Sequence, residues 1–463
     1  MTPLARHYAR HAIAEHDLGA EYSAWMRSLL FDYVAVTAGG ATRESARAAV
    51  KAYESSLSPG GAAAVFGTER RAGAEDAALL NGITAHGLEL DDTFEEASLH
   101  PGVVVFSTAI ALAEEQGSTL GELLLAAAVG YDVMCDAGVV LGAAESYARG
   151  FHPTGVAGAL GAAAAAARLL GFDETRATHA ISLAADMAAG SLEFLSDGSW
   201  TKRLNAGHAA AVGIRAARLA AAGFTAPEHS LEGRDGFLTQ YGAGVVPGRG
   251  ADLVAGRYAW LTSIKLYPCC RYMHGNLDLL LDAKRVHPEL TEETIDSVTL
   301  AVITAGARLI SEPPEAKLKV ETPVDAQFNM RFGAALALSS GTATVEQFDR
   351  APELAQTLLP LMRRITCVTS PAVEEAFPEA WTAEMSITLR DGTTLEASSD
   401  GFRGSPAHRV SREDLLEKAG GLIGTGAAAD ALRIIGETAA DASVAGMRQA
   451  LGQAVQPSRT AVV

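Results

Sequence analysis

The sequence predicts a mainly α-helical protein in which a smaller α+β region interrupts a large helical one, and three observations predict it. Alanine, the best helix former, fills long Ala/Leu-rich stretches between about residues 20 and 240. Runs enriched in β-branched residues begin after about residue 258, and helical texture returns beyond residue 404. A chain of 463 residues exceeds one ordinary core, since domains usually hold about 100 to 200 residues. The expected division is a helical domain over residues 1–258, rejoined by 404–463, with residues 259–403 inserted as an α+β lid.

Taken in order, SAWMRSLLFDYVAVTAGG starts at Ser23, suited to cap a helix N-terminus, and ends at Gly39-Gly40, suited to a left-handed C-terminal turn. ESARAAVKAYESSLSPGG repeats the form, followed by AEDAALLNGITAHGLEL, VVVFSTAIALAEEQG, LGELLLAAAVGYDVMCDAGVVLG and DETRATHAISLAADMAAGSLEFL. Small residues on all sides of these segments predict close packing in a large bundle. No segment of this half reads as a strand. Gly155, Gly158 and Gly161 are spaced G-x-x-G-x-x-G without a preceding strand, which reads as helix packing rather than a dinucleotide fingerprint. Later, SVTLAVITA, RITCV, MSITLR and TLEAS read as strands, the last two joined by the hairpin residues Asp391-Gly392-Thr393. NLDLLLDAKRVH and AQFNMRFGAALALSSG read as helices between them, and SREDLLEKAGGLIG and residues 427–455 as helices returning to the first domain.

Composition removes several classes of function. With 37 basic and 55 acidic residues the net charge is −18, which argues against a nucleic-acid or anionic-membrane partner. Four cysteines without C-x-x-C spacing make neither a disulfide framework nor a structural zinc site, and a reducing cytoplasm is the expected location. MTPLARHYARHAIAEHDLGA has no apolar run of the secretory kind, and GVAGALGAAAAAARLLG contains Arg168 and reads as a buried helix rather than a membrane span. There is no G-x-x-x-x-G-K-[ST], G-x-S-x-G or H-E-x-x-H motif.

Titratable residues instead collect at breaks between apolar helices. LELDDTFEEASLHPGVVV holds Glu89, Asp91, Asp92 and His100; RGFHPTG holds His152. Both histidines precede a proline and a new helix, whose unpaired N–H groups suit an anionic ligand. DGSWTKRLNAGHAA holds Lys202, Arg203 and His208, and IKLYPCCRYMHG holds Lys265, Arg271 and His274. Lysines set in apolar, Gly-rich surroundings need something anionic to meet them. His86 and His179, between apolar residues, read as core or surface histidines, and Tyr267 with Cys269-Cys270 as packing.

At these clusters the chain resembles the MmgE/PrpD family, which includes 2-methylcitrate dehydratases, cis-aconitate decarboxylases and iminodisuccinate epimerase. The resemblance runs through NGITAHGLELDDT with HPGVVV, GFHPTGVAGALGAAAAAARLLG, DGSWTKRLNAGHAA with GFTAP and LEGRDGF, IKLYPCCRYMH and AQFNMRF. It implies an active site between the helical domain and the lid, a homodimer, and no metal or organic cofactor. Carried over position by position, it implies a site of Glu89, Thr93, His100, His152, Lys202, Lys265 and His274, with Asp92 beside them. Glu89 stands where cis-aconitate decarboxylases carry aspartate, and Phe332 where many members carry tyrosine.

The implied chemistry is proton movement at a carbon next to a carboxylate, which needs a base and several fixed donors. The expectation is His100 as acid/base tuned by Glu89 or Asp92, with His152 and His274 assisting proton delivery. Thr93, Lys202, Lys265, Arg271 and Arg203 are expected to bind a small polycarboxylate. A dehydratase of the 2-methylcitrate kind is the first expectation, an epimerase the close rival and a cis-aconitate-type decarboxylase the third. A non-catalytic helical binding protein is the alternative from another class.

Overall fold

The computed structural model describes residues 2–242, 244, 253–377 and 380–455; the last residues of the expected returning segment, 456–463, lie outside that set. The protein is mainly helical with a small mixed sheet in its C-terminal region. At the centre of the bundle runs the helix Pro153–Leu169, in which every residue from Pro153 to Ala167 is buried. Helices Pro101–Gln116, Leu120–Leu141, Glu174–Asp186 and Thr201–Ala221 surround it, and an all-round apolar sequence is what such a position requires. Leu120–Leu141 is long and apolar enough to cross a membrane by length and composition, yet 89% of its apolar window is buried inside the protein.

Small residues set the helix spacings. A Cβ on Gly161 would lie 2.5 Å from Met134 Cβ and 2.6 Å from the Gly130 carbonyl, so the glycine triplet serves packing. Gly207 and Gly82 meet where Thr201–Ala221 crosses Ala74–Ala85, and a Cβ on Gly207 would stand 2.3 Å from the Leu79 carbonyl oxygen. Gly207→Ala is therefore expected to push the two helices apart and cost about 1–3 kcal/mol, read as a lowered urea midpoint at unchanged slope.

Three sequence expectations are corrected here. Helix Gly19–Gly40 starts four residues before Ser23, which lies inside it. Gly39 and Gly40 are helical rather than left-handed, and a Cβ on Gly40 would stand 2.1 Å from the Thr84 carbonyl, so that glycine allows a close helix approach. The N-terminal half also contains two strands, Ala63–Ala64 and Arg71–Ala72, paired antiparallel. At two residues each they are too short to show a period-2 pattern.

Helices Arg412–Ile423, Thr425–Glu437 and Val444–Ala454 pack on the bundle, placing Leu415, Ala428, Ile435 and Leu451 in its apolar core. A second core covers a four-stranded sheet ordered Ile365–Val368, Ile295–Ala301, Ala383–Leu389 and Thr394–Ser399. The first pair is parallel and the others antiparallel. Gly392, at φ +91°, supplies the left-handed residue of the hairpin turn. Phe194, from the bundle half of the chain, sits in this second core, and paired backbone hydrogen bonds join Thr93 to Ser263 (2.9 and 2.7 Å).

Candidate active site

The His-Pro junctions form the frame. His100 and His152 are both extended residues ahead of a proline at the first helical position, the conformation a following proline favours. The two helix starts lie side by side, with His100 N–H donating to Thr154 Oγ1 at 3.1 Å. The two rings therefore reach the same place from helices that begin 52 residues apart.

Between helix Ala74–Ala85 and helix Pro101–Gln116 the chain makes a buried loop. Glu89 adopts φ +55° and Ser98 φ +49°, conformations costly for residues with a Cβ. The turn at Glu89 aims its carboxylate at two ammonium groups. Lys202 Nζ donates to Oε2, while Lys265 Nζ donates to Oε1 at 2.9 Å and to the Glu89 carbonyl at 3.1 Å. Lys418, on helix Arg412–Ile423, donates to the Leu90 carbonyl at 2.8 Å while paired with Asp32, so the returning C-terminal helix holds this loop in place.

Burial raises the pKa of Glu89, but Lys202 and Lys265 outweigh it and hold the carboxyl well below its ordinary value. Burial lowers the pKa of Lys202 despite Glu89. For Lys265 burial acts the same way, but Glu89 and Asp91 prevail and raise it.

Asp91 binds two histidines. His86 Nδ1 lies 2.9 and 3.0 Å from its oxygens, and His100 Nδ1 lies 2.9 Å from Oδ2 and 3.0 Å from the Asp92 carbonyl. A carbonyl only accepts, so Nδ1 of His100 carries the hydrogen and Nε2 is the acceptor nitrogen, 3.8 Å from Glu89 Oε1. Burial, with Lys202 and Lys265 adding to it against the opposing Asp91, drives the His100 pKa down to about 3. His152 has the opposite tautomer. Asn205 Nδ2 donates to the Ser191 carbonyl (3.2 Å) and to His152 Nδ1 (3.3 Å), leaving the hydrogen on Nε2. Burial holds His152 well below its ordinary pKa. One ring thus offers an acceptor and the other a donor.

Arg271 donates from Nε to Glu95 at 3.0 Å and from Nη1 to His274 Nδ1 at 2.9 Å, and its guanidinium lies 3.8 Å from the Phe402 ring centre. Its Nη2 is buried without a partner. Thr93 Oγ1 donates to the same Glu95 at 3.1 Å.

These groups meet at a cavity between the two cores with about 500 Å³ of empty space, its opening included. Of the residues expected from the sequence, Glu89, Thr93, His100, His152, Lys202 and Arg271 line it. Lys265 and His274 are fully buried behind the wall. His274 Nε2 faces the Cys269 carbonyl at 3.4 Å and Nδ1 faces Arg271, so it holds the arginine and has no nitrogen free for a substrate.

Two of the expected residues point away from the cavity. Arg203 turns away, donating to Ser45 Oγ at 2.8 Å, because one residue along a helix from Lys202 points about 100° aside. The Asp92 carboxyl also faces away, accepting from Gly102 N–H (2.8 Å) and the Tyr131 hydroxyl (2.5 Å), where it caps helix Pro101–Gln116. Asp91, not the Asp92 carboxylate, contacts the ring of His100. His86, read from the sequence as an ordinary histidine, has its ring centre 4.6 Å from His100 and 6.1 Å from His152, and its Nε2 is buried without a partner. The spacing of His86 and Asp91 across one turn was the available signal. Phe332 lies in the second core against Phe348, away from the cavity wall.

Ligand atoms of His86, Asp91 and His100 lie within 4.8 Å of one another, close enough to share a cation. The hydrogen that His100 Nδ1 must carry toward the Asp92 carbonyl makes the set a better match to two histidines bonded to one carboxylate.

Asp92 yields a pH test. Burial, reinforced by Asp91 and opposed by Tyr131 and Gly102, pushes its carboxyl up to about 8. Between its ordinary value of 3.8 and about 8 the folded state keeps a proton that the unfolded state releases, so stability falls as pH rises through that window. Asp92→Asn keeps an acceptor for Gly102 N–H and gives Tyr131 a permanent donor. Thermal unfolding of the variant is expected to lose that downward slope and to match or exceed the parent near the upper end of the window.

Comparison with known proteins places the chain in a family. The MmgE/PrpD N-terminal domain matches residues 4–247 and the C-terminal domain residues 267–441. Human cis-aconitate decarboxylase is 29% identical over 359 residues, covering 74% of this chain and 71% of that protein. A cis-aconitate decarboxylase from Aspergillus terreus is 27% identical over 414 residues, covering 85% and 83%. The cis-aconitate decarboxylase-like protein oryM of Aspergillus oryzae is 27% identical over 403 residues, covering 82% of each. With both domains matched in order across the two cores that enclose the cavity, this chain belongs to the MmgE/PrpD family of enzymes.

Proposed function

We propose that the protein is a cofactor-independent carboxy-lyase acting on a small polycarboxylate of the cis-aconitate kind. The observation that carries this reading is the convergence of an acceptor nitrogen on His100, a donor nitrogen on His152 and the cations Lys202 and Arg271 around one cavity. The names of the relatives favour decarboxylation over the dehydration first expected from the sequence.

In this reading Lys202, Arg271 and the His152 Nε2–H hold substrate carboxylates. An arriving polyanion raises the proton affinity of His100 Nε2, and Asp91 stabilises the resulting imidazolium through Nδ1. The bond from carbon to the departing carboxylate breaks and carbon dioxide leaves. Its electron pair forms a new carbon–carbon double bond, and the pair of the old double bond takes the proton from His100. The proton balances the loss of one carboxylate. Fixed donors around a developing charge supply the larger part of such a rate enhancement. The resemblance also carries a homodimer into this reading, and the cysteine usage carries a cytoplasmic location.

Proton NMR of the purified protein with cis-aconitate in heavy water tests it. Loss of carbon dioxide with one deuteron placed on carbon is expected, unaffected by chelators. Gain or loss of water would instead identify a hydro-lyase. Exchange into a dicarboxylate without a new product would identify an epimerase. Binding without exchange or turnover would leave a non-catalytic protein.

A further inference from the structure

The polar residues occupy only part of the cavity wall. Leu192, Phe194 and Leu195, around the short turn Glu193–Leu195, form another part with Leu309, Phe328 and Trp381. This apolar surface begins directly beside the chemistry. The Phe194 ring centre is 5.9 Å from that of His152 and 6.4 Å from that of Phe328, and the Phe328 centre is 5.1 Å from Lys202 Nζ.

Most of the charged groups nearby already have partners, Arg271 Nη2 being the exception. Lys202 and Lys265 share Glu89, and Arg271 holds Glu95. The hydroxyls are engaged as well, Ser98 Oγ lying 2.7 Å from the Tyr147 hydroxyl. Trp381 Nε1 is the unpartnered exception on the apolar side, and one neutral N–H does not neutralise a carboxylate. A carboxylate pressed against leucine and phenylalanine would lose its hydration without compensation, whereas a hydrocarbon there is favoured.

We propose that the substrate carries an apolar arm of several carbons on its carboxylate-bearing skeleton, and that Leu192, Phe194, Leu195 and Phe328 select for it. The inference rests on the carboxylate-binding reading above and narrows it from bare cis-aconitate to its alkyl-substituted analogues. The arm lies on the leucine and phenylalanine side while the carboxylates face Lys202, Arg271 and His152.

Calorimetric binding of succinate, propylsuccinate and hexylsuccinate tests the wall without requiring turnover. Affinity is expected to rise roughly fourfold per added methylene until the wall is filled, the factor that follows from the usual burial free energy of a methylene. Leu195→Ser, at a half-buried position outside the tightly packed core, is expected to reduce the hexylsuccinate-to-succinate affinity ratio by about fivefold or more. Leu192→Ser provides a second variant at a half-buried position. Equal or weaker binding of the alkylated acids, or no binding by any of the three, overturns the inference. A ratio unmoved by both variants also overturns the assignment of these residues.

Decarboxylation of cis-aconitate, followed in parallel, separates the two claims. Turnover of cis-aconitate without an alkyl preference leaves the lyase reading standing and removes the arm. An alkyl preference without decarboxylation of either plain or alkylated cis-aconitate does the reverse.

Discussion

Glu89→Gln is expected to destabilise the protein by about 3–5 kcal/mol, the usual cost of removing one partner from a buried ion pair. Two ammonium groups depend on this carboxylate, and both are buried, Lys265 completely and Lys202 to 9% exposure. The carbonyl of glutamine can accept from one of them at reduced strength, and its amide presents donors to the other. Against a typical net stability of about 5–15 kcal/mol, the loss is large enough to read as a strongly lowered denaturation midpoint. Adding Lys265→Met to Glu89→Gln should recover part of it, because one uncompensated charge is removed. Equal stability of parent and Glu89→Gln would mean that the lysines find other partners.

The same carboxylate makes the protein acid-sensitive. Its folded-state pKa is depressed, so the unfolded state binds the proton first as pH falls. The stabilisation is present above the ordinary value of 4.5 and is lost as pH drops below it toward the folded value. Glu89→Asp retains the charge one methylene shorter and is expected to retain more of the stability than glutamine. The left-handed backbone at this position is also easier for aspartate.

His100→Asn is expected to reduce kcat/KM by roughly 10²–10⁴-fold, the usual range for losing a positioned acid or base. Asp91→Asn is expected to reach the same range by another route. The asparagine oxygen can still accept from His100 Nδ1, whose hydrogen the Asp92 carbonyl also holds, but the neutral amide no longer stabilises an imidazolium formed at His100. Proton uptake separates these effects from simple misfolding. With the native protein, calorimetric binding of a polycarboxylate at neutral pH should show a heat that depends on the buffer's ionisation enthalpy, because the neutral His100 takes up a proton. The dependence should disappear in His100→Asn while the variant remains folded by circular dichroism. Its persistence would assign the proton to another group.

Much of this architecture was legible before any coordinates. Alanine and glycine at every face of 155–167 required a helix enclosed on all sides, and the Asp391-Gly392-Thr393 turn required a hairpin. The two His-Pro junctions and the lysines after residues 200 and 260 marked the segments that meet at the cavity. These are local signals: helix periodicity, turn chemistry and the cost of burying a charge all act within a few residues.

The pairing of those segments was not legible. Glu89 joins lysines 113 and 176 positions away, and nothing in the adjacent residues specifies which carboxylate of the Glu89, Asp91 and Asp92 group will take them. Adjacent Asp91 and Asp92 point to opposite sides of the loop and serve different structures, one the histidines and the other a helix cap. Arg203 leaves the site because it points about 100° around its helix from Lys202, while His86 enters it through the fold that brings its ring beside His100 and His152. Residue type announces that a buried charge needs a partner, but the crossing of distant helices selects that partner, because electrostatic and hydrogen-bond energies depend on distances of a few ångströms that sequence separation does not encode.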